Sequence, residues 1–300
     1  MISSSHSVAA GRAAAGLSTA DRIMEINSGI DFYRFISAIV DDFENKKDQL
    51  TAKLKETAKC IFRPENFFID ITSENEQGAE NLKGIIKEID DSLYRDEVRK
   101  EQFRPELLKE NEGFMTAGQV QYVCRAGYFL EKGEKINGYI PVLKTILGYQ
   151  YLWENVRVKG GAYGCFSRFG KNGIGYFVSY RDPNLEGTIK VYEDAPSFIE
   201  KFDVDERTMT KFVIGTFSEL DIPLTPALKG LRSLRAYMTG TKLEDVQKRR
   251  DETLSCTPED IRKCASYLKS ILSKKRLVVV GSAAAIKENS ELFDKVENLF

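Results

Sequence analysis

Apolar side chains recur at intervals of three and four from Gly29 to about Lys59. Phe32, Phe35, Ile36, Ile39, Val40 and Phe43 form one stripe, and Leu50 and Leu54 extend it past the charged patch ENKKDQ. This spacing predicts an amphipathic helix with one face toward a core. Pro64 breaks it, and Phe67 to Ile71 read as a short strand. Residues 74–110 are strongly charged, with a helix expected near 79–92. In YRDEVRKEQFRPELLKENEG charge is high, hydrophobicity is low and Pro105 interrupts any regular element, so a linker and a domain boundary are expected near 100–110.

Beyond that linker the period changes. Val120, Tyr122 and Cys124 alternate with polar residues, as a strand requires. INGYIPVLKTILGYQYLWENVR reads as one long helix, with Pro141 in its first turn and Val142, Ile146, Tyr149, Leu152 and Trp153 on its apolar face. AYGCFSRFG and IGYFVSYRD are two further strands, and Asn172-Gly173 between them is a hairpin turn. A helix is expected after Asp194, and others at about 205–220, 225–239 and 242–253. Thr257 then caps a helix with Pro258 at its first position. KKRLVVVGSAAA is a buried strand ending at Gly281, followed by a terminal helix. This order predicts an α+β sandwich, with a mostly antiparallel sheet covered by helices. The opening MISSSHSVAAGRAAAGLSTADRI is rich in Ala, Ser and Gly. It has one basic residue before Arg22, which argues against a transit peptide and for a small-residue helix or loop packed on something.

Composition removes whole classes of function. The 300 residues carry 44 basic and 45 acidic side chains, a net charge of -1, so no electrostatic argument favours nucleic acid or an anionic membrane surface. No apolar run approaches the roughly 20 residues that span a bilayer. Five cysteines, an odd number without a CxxC pair, read as reduced, buried, inert thiols. There is one histidine, His6, in a flexible-looking start. Neither HExxH nor HxxEH can be written with one histidine, and a His-dependent triad would have to use that residue. GKNGIG at 170–175 lacks the GK[ST] of a phosphate loop, and VVVGSAAA lacks GxGxxG.

One segment, RVKGGAYGCFSRFG at 157–170, resists a bland account. Gly160 and Gly161 have no Cβ, so another backbone could approach them closely. Arg157 presents a fixed fork of donors, and Tyr163 a neutral phenol. Two such donors beside a tetrahedral oxyanion would each lower a hydrolytic barrier by roughly 2.7–4 kcal/mol. The alternative is a glycine-containing loop entering a strand, with Arg157 in a surface ion pair, and spacing alone favours that alternative.

ENVRVKGGAYGCFSRFG, the upstream GQVQYVCRAGYF and the opening SSHSVAAGRAAAGLS with GIDFYRFI resemble the C-terminal half of the pitrilysin/insulinase zinc metallopeptidases, in their presequence-protease branch. The resemblance spans nearly the whole chain. It implies two homologous halves, each of two α+β domains, closing a chamber around unfolded peptides. Zinc belongs to the N-terminal half, on an HxxEH motif and a distal Glu, so no metal ligand is expected here. The C-terminal half contributes an Arg and a Tyr to the substrate carbonyl; by position these are Arg157 and Tyr163, with Gly160 and Gly161 against the substrate.

On this basis residues 1–105 are expected to be the mostly helical C-terminal part of a third pitrilysin-type domain plus linker, and 106–300 a complete fourth domain. The chain then reads as a fragment whose partner is the N-terminal catalytic half of the same polypeptide. The alternative is a non-catalytic peptide-binding or structural subunit that pairs with a separate zinc-bearing chain. The cytoplasm is the expected location, with an organelle matrix as the alternative. Exposed apolar surface is expected where strands of the third domain would pack. The chain alone is expected to cleave no peptide and to hold no stoichiometric zinc; elemental analysis finding one tightly bound zinc per chain would contradict this.

Overall fold

The computed structural model describes residues 4–98, 102–131, 133–274 and 276–299. Its helices are α1 (Ser5–Ala14), α2 (Thr19–Ser28), α3 (Ile30–Val40), α4 (Phe43–Ile61), α5 (Glu76–Glu80), α6 (Lys83–Ser92) and α7 (Tyr139–Ile146). After a π-helix at Leu147–Lys159 come α8 (Glu186–Glu200), α9 (Glu206–Leu220), α10 (Pro226–Met238), α11 (Leu243–Leu254), α12 (Pro258–Lys263), α13 (Ala265–Ser273) and α14 (Ala283–Glu288). Six strands form one sheet: β1 (Glu112–Thr116), β2 (Tyr122–Tyr128), β3 (Gly164–Phe169), β4 (Ile174–Tyr180), β5 (Arg276–Ser282) and β6 (Lys295–Asn298). Their spatial order is β3-β4-β2-β5-β1-β6. The β3/β4, β4/β2 and β2/β5 pairs are antiparallel; β5/β1 and β1/β6 are parallel. The expected α+β class and mostly antiparallel sheet are what the molecule has.

The chain forms two compact units. One comprises residues 1–34, 104–221 and 246–300; the other comprises 35–103 and 222–245. The first contains the whole sheet, and compactness does not follow a single cut of the chain. The sheet is covered on both faces, so its central strands lose the alternation of a half-exposed strand. Every residue of β5 except Ser282 is buried. On one face Val123, Phe177, Leu277 and Val279 join the helical core with Leu143, Leu152, Tyr192 and Leu268. On the other, Cys124, Val178, Val278 and Val280 meet Ala9, Ala10, Ala13 and Leu17. The alanine-rich start is therefore a helix laid on the sheet, and its small side chains let it come close. His6 belongs to that helix, edge-on to Tyr180 at 5.0 Å, which corrects the expectation of a flexible start.

A buried ionic cluster fastens this helix. Arg12, 3% exposed, donates from Nε and Nη2 to Glu112 (3.0 and 2.7 Å), and from Nη1 to Glu25 (3.0 Å) and Asp31 (2.8 Å). Arg276 donates to the same Glu112 at 2.9 Å, and Arg22 pairs with Asp31. Three cations thus face three carboxylates, which ties α1, α2 and α3 to β1 and β5. Burial would raise the Asp31 carboxyl, but hydrogen bonds and charge from Arg22 and Arg12 outweigh it and hold it below 3.8.

Several expectations need correction. Two strands, β1 and β6, escaped the periodicity. β1 is five residues long and begins at the last two residues of the charged stretch assigned to the linker, and β6 follows α14, where a terminal helix was expected. Phe67–Ile71 form no strand, because that segment has no ladder partner to take its backbone groups. The 29–59 helix breaks at residues 41 and 42, and its stripe does not face a core: Phe35 is 58% exposed and Val40 67%. Within the second unit α4 and α6 bury no residue, and Phe43, Leu54, Ile85 and Met238 are all exposed, so apolar surface of the expected kind is present there. The helix expected after Asp194 starts at Glu186, because Ile189, Tyr192, Ala195, Pro196 and Ile199 make one buried stripe that runs through the proline. Cys60 is exposed rather than buried; Cys124, Cys256 and Cys264 are buried, and Cys165 is half-buried.

Removing one partner of a buried ion cluster strands the others. Arg12→Met is therefore expected to cost about 3–5 kcal/mol in urea unfolding. Because the Asp31 carboxyl is depressed in the fold, its contribution is complete above pH 3.8 and is lost as pH falls through the lower folded value. Asp31→Asn should therefore flatten the acid limb of the stability curve.

Candidate functional site

The helix that leads into RVKGGAYG changes winding at Leu147. From there to Lys159 it bonds i→i+5, an arrangement that is rare at this length and frequent at functional sites. Its buried residues are Leu147, Tyr151, Leu152 and Val156, spaced by four or five rather than three or four. The wider turn rotates the predicted apolar face. Val142, Ile146 and Leu152 are buried as expected, but Tyr149 (68% exposed) and Trp153 (47%) are turned outward. Trp153 thus shares the outer side with Arg157.

Among the described residues Arg157 has no ionic partner. Its guanidinium lies 4.0 Å from the centre of the Trp153 ring and 5.4 Å from that of Tyr163. Such a contact is worth about 0.5–1 kcal/mol at an exposed site and leaves the N–H donors unused. Tyr163 is 63% exposed, and its hydroxyl makes no hydrogen bond among the described residues. Its ring stands edge-on to Tyr180 at 5.6 Å. The structure thus brings Arg157 and Tyr163 together, with Gly160 and Gly161 in the turn between them.

Both glycines have local reasons to be glycine. Gly161 has φ +78°, and Cβ at Gly160 would sit 2.6 Å from the Val156 carbonyl oxygen. The turn closes through Gly161 N–H to Arg157 O (2.9 Å) and Ala162 N–H to Val156 O (3.1 Å). Support also comes from the loop after β4, which the sequence gave no reason to single out. Asn184 Nδ2 donates to Gly160 O at 2.6 Å, and the Tyr163 N–H donates to Tyr180 O at 3.0 Å. That loop is anchored by Asp182, fully buried, which accepts from Thr188 Oγ1 (2.6 Å) and Asn184 N (2.9 Å). Burial raises its carboxyl despite those donors. A left-handed Arg181 (φ 50°) just before it marked no pattern in the sequence. Trp153 could have been found: it stands four residues before Arg157, one helical turn away.

Other chemistries lack their groups. Among the described residues no cluster of three or more His, Cys, Asp and Glu is placed to hold a metal ion. Burial pushes the Cys165, Cys256 and Cys264 thiols up to about 12, and that of Cys124 further, which leaves them protonated and unreactive. No helix among the described residues is long and apolar enough to cross a membrane.

The family model of the PreP C-terminal domain matches residues 111–285, which include the π-helix, the glycine turn and five of the six strands. The chain belongs to the presequence-protease C-terminal domain family. This is the family expected from the residues. Protein HypA of Clostridium perfringens is 38% identical over 272 residues, which are 91% of this chain and 28% of that protein. Presequence protease 1, chloroplastic/mitochondrial, of Arabidopsis thaliana is 29% identical over 296 residues, 97% of this chain and 27% of that protein. The mitochondrial presequence protease of Yarrowia lipolytica is 26% identical over 270 residues, 87% and 26% respectively. The chain therefore spans about a quarter of the length of these relatives. Among solved structures, pitrilysin aligns with a TM-score of 0.47 at 11% identity, over 69% of this chain and 23% of that one. The inactive peptidase M16 domain of Pseudomonas fluorescens aligns at 0.46 and 16%, over 67% and 50%.

For a presequence-protease C-terminal domain this turn is a point of precision, and its glycines can be tested as such. Gly160→Ala and Gly161→Ala should each lower the unfolding free energy by about 1–2 kcal/mol. Gly148→Ala, whose Cβ would meet nothing within 4 Å, should not destabilise. Urea denaturation of the three variants checks the contrast.

Proposed function

We propose that this domain is the non-metal half of a zinc-dependent oligopeptidase, closing a peptide-degrading chamber and presenting Arg157 and Tyr163 to the substrate carbonyl. The observation that carries this reading is a guanidinium 5.4 Å from an exposed phenol, neither with an ionic or hydrogen-bond partner among the described residues. Here the Arg157 guanidinium is seated on Trp153 by its face, and the Tyr163 ring stands against Tyr180, so that the N–H and O–H groups point away from their supports.

The chemistry of this chain is then electrostatic. As a scissile carbonyl becomes tetrahedral, negative charge gathers on its oxygen, and the Arg157 N–H groups and the Tyr163 O–H donate to it. The donors are set before reaction, so little reorganisation is needed as the charge develops. Gly160 and Gly161 hold the segment in its tight turn and leave room for the peptide backbone beside it. No proton need move to or from either side chain. The metal and the general base belong to the N-terminal catalytic half, which is the expected partner along with unfolded peptides. Under this reading residues 1–105 are the end of a third domain and 106–300 a fourth. The names of the plant and fungal relatives favour an organelle matrix over the cytoplasm as the place of action.

In the enzyme containing both halves, Tyr163→Phe should lower kcat by about 10²–10³ with KM little changed, because the donor acts on charge present only in the transition state. An unchanged kcat would remove Tyr163 from the chemistry and leave a peptide-binding role.

A further inference from the structure

β3 is an edge strand: β4 pairs with it on one side, and among the described residues no strand does on the other. The bond from Gly170 N–H to Ile174 O, 2.8 Å, sets the phase of that ladder. Residues in register with it bond to β4, and Cys165, Ser167 and Phe169 turn their N–H and C=O to the open side. A groove of about 650 Å³ follows this edge, lined on one side by His6, Phe166 and Tyr176 and on the other by Ile140, Pro141 and Leu220. An edge of this kind normally carries a covering element or some device against pairing.

Two features point to an occupant. Ser167, 7% exposed, lines the groove, and its hydroxyl has no hydrogen-bond partner among the described residues, a cost that a ligand group would remove. The charge at the groove is also unbalanced. Lys144 is paired with Glu219 at 2.8 Å, but Arg168 and Lys171 have no ionic partner among the described residues. Open backbone groups ask for an extended chain, and two free cations ask for carboxylates.

We propose that the edge of β3 docks an extended acidic peptide, which adds to the sheet as a seventh strand with its carboxylates on Arg168 and Lys171. Tyr163 immediately precedes β3, so one end of the added strand runs toward the two donors. The inference extends the peptide-handling reading, but it uses neither Arg157 nor Tyr163 and makes no demand on catalysis.

The test uses the full chain and a fluorescent ten-residue peptide of alternating Glu and Val, with a Lys-for-Glu counterpart, followed by anisotropy. The acidic peptide should bind at least about tenfold more tightly, and Arg168→Glu with Lys171→Glu should reverse the preference. N-methylation of the central amides of the acidic peptide should weaken it by about tenfold or more while every side chain is kept. The donor mechanism is read from kcat in the enzyme carrying both halves and this site from peptide anisotropy, so that loss of either is separately visible. Equal affinity for both peptides, or indifference to N-methylation, would overturn the proposal. So would a chain dimer in sedimentation that the acidic peptide fails to dissociate, because the edge would then be covered by a second copy. The N-methylated arm needs no variant to fold.

Discussion

Between Lys159 and Gly164 the chain must leave a helix bonded i→i+5 and enter an edge strand. That join constrains the rest of the site. It needs a residue at φ +78° and a residue without Cβ beside a carbonyl oxygen, and glycine alone meets both demands without strain. The loose winding before the turn faces Trp153 and Arg157 outward; the strand after it starts beside Tyr163. Two donors from different elements meet because the turn between them has so little freedom. A side chain at either glycine would not touch Arg157 or Tyr163, yet would shift both.

Rigidity comes from burial on both faces of the sheet. Alternate valines of β5 supply two different cores, and a helix of alanines covers the second apolar face of the sheet, which water would otherwise reach. Its attachment depends on a balanced cluster of three arginines and three carboxylates rather than on apolar area, since alanine buries little. Such a cluster specifies position more than it stabilises: an apolar replacement of all six would satisfy the packing, whereas loss of one leaves charge with nowhere to go. The sheet, the glycine turn and its supporting loop from Arg181 to Leu185 all lie in the same compact unit.

Much of this was legible in the residues. The hairpin at Asn172-Gly173, the cap at Thr257 and the central strands all follow from local pattern, because their periodicity and turn chemistry agree. What was not legible depended on tertiary context. β1 is short, starts at the end of a charged stretch, and is held as a strand by β5 and β6 on either side. Pro196 reads as a helix breaker until the buried stripe around it is seen. Tyr149 and Trp153 fit an apolar face under α-helical spacing and leave it under π-helical spacing, and nothing in a 3.6-residue pattern reports that change. The pairing of Arg157 and Tyr163 came from resemblance; the aromatic seat of Arg157 and the Asn184 prop came from the structure.

The central claim is that Arg157 and Tyr163 act together on one oxygen atom. Two donors to the same developing charge must be energetically coupled, whereas two surface residues 5.4 Å apart by accident need not be. The direct measurement is a double-mutant cycle on kcat, with Arg157→Met and Tyr163→Phe, in the enzyme carrying both halves. The account predicts that each change slows turnover and that the double variant is slower than wild type by less than the product of the single effects, with a coupling of about 1 kcal/mol or more. Two single variants with unaltered kcat, and no coupling between them, would contradict it.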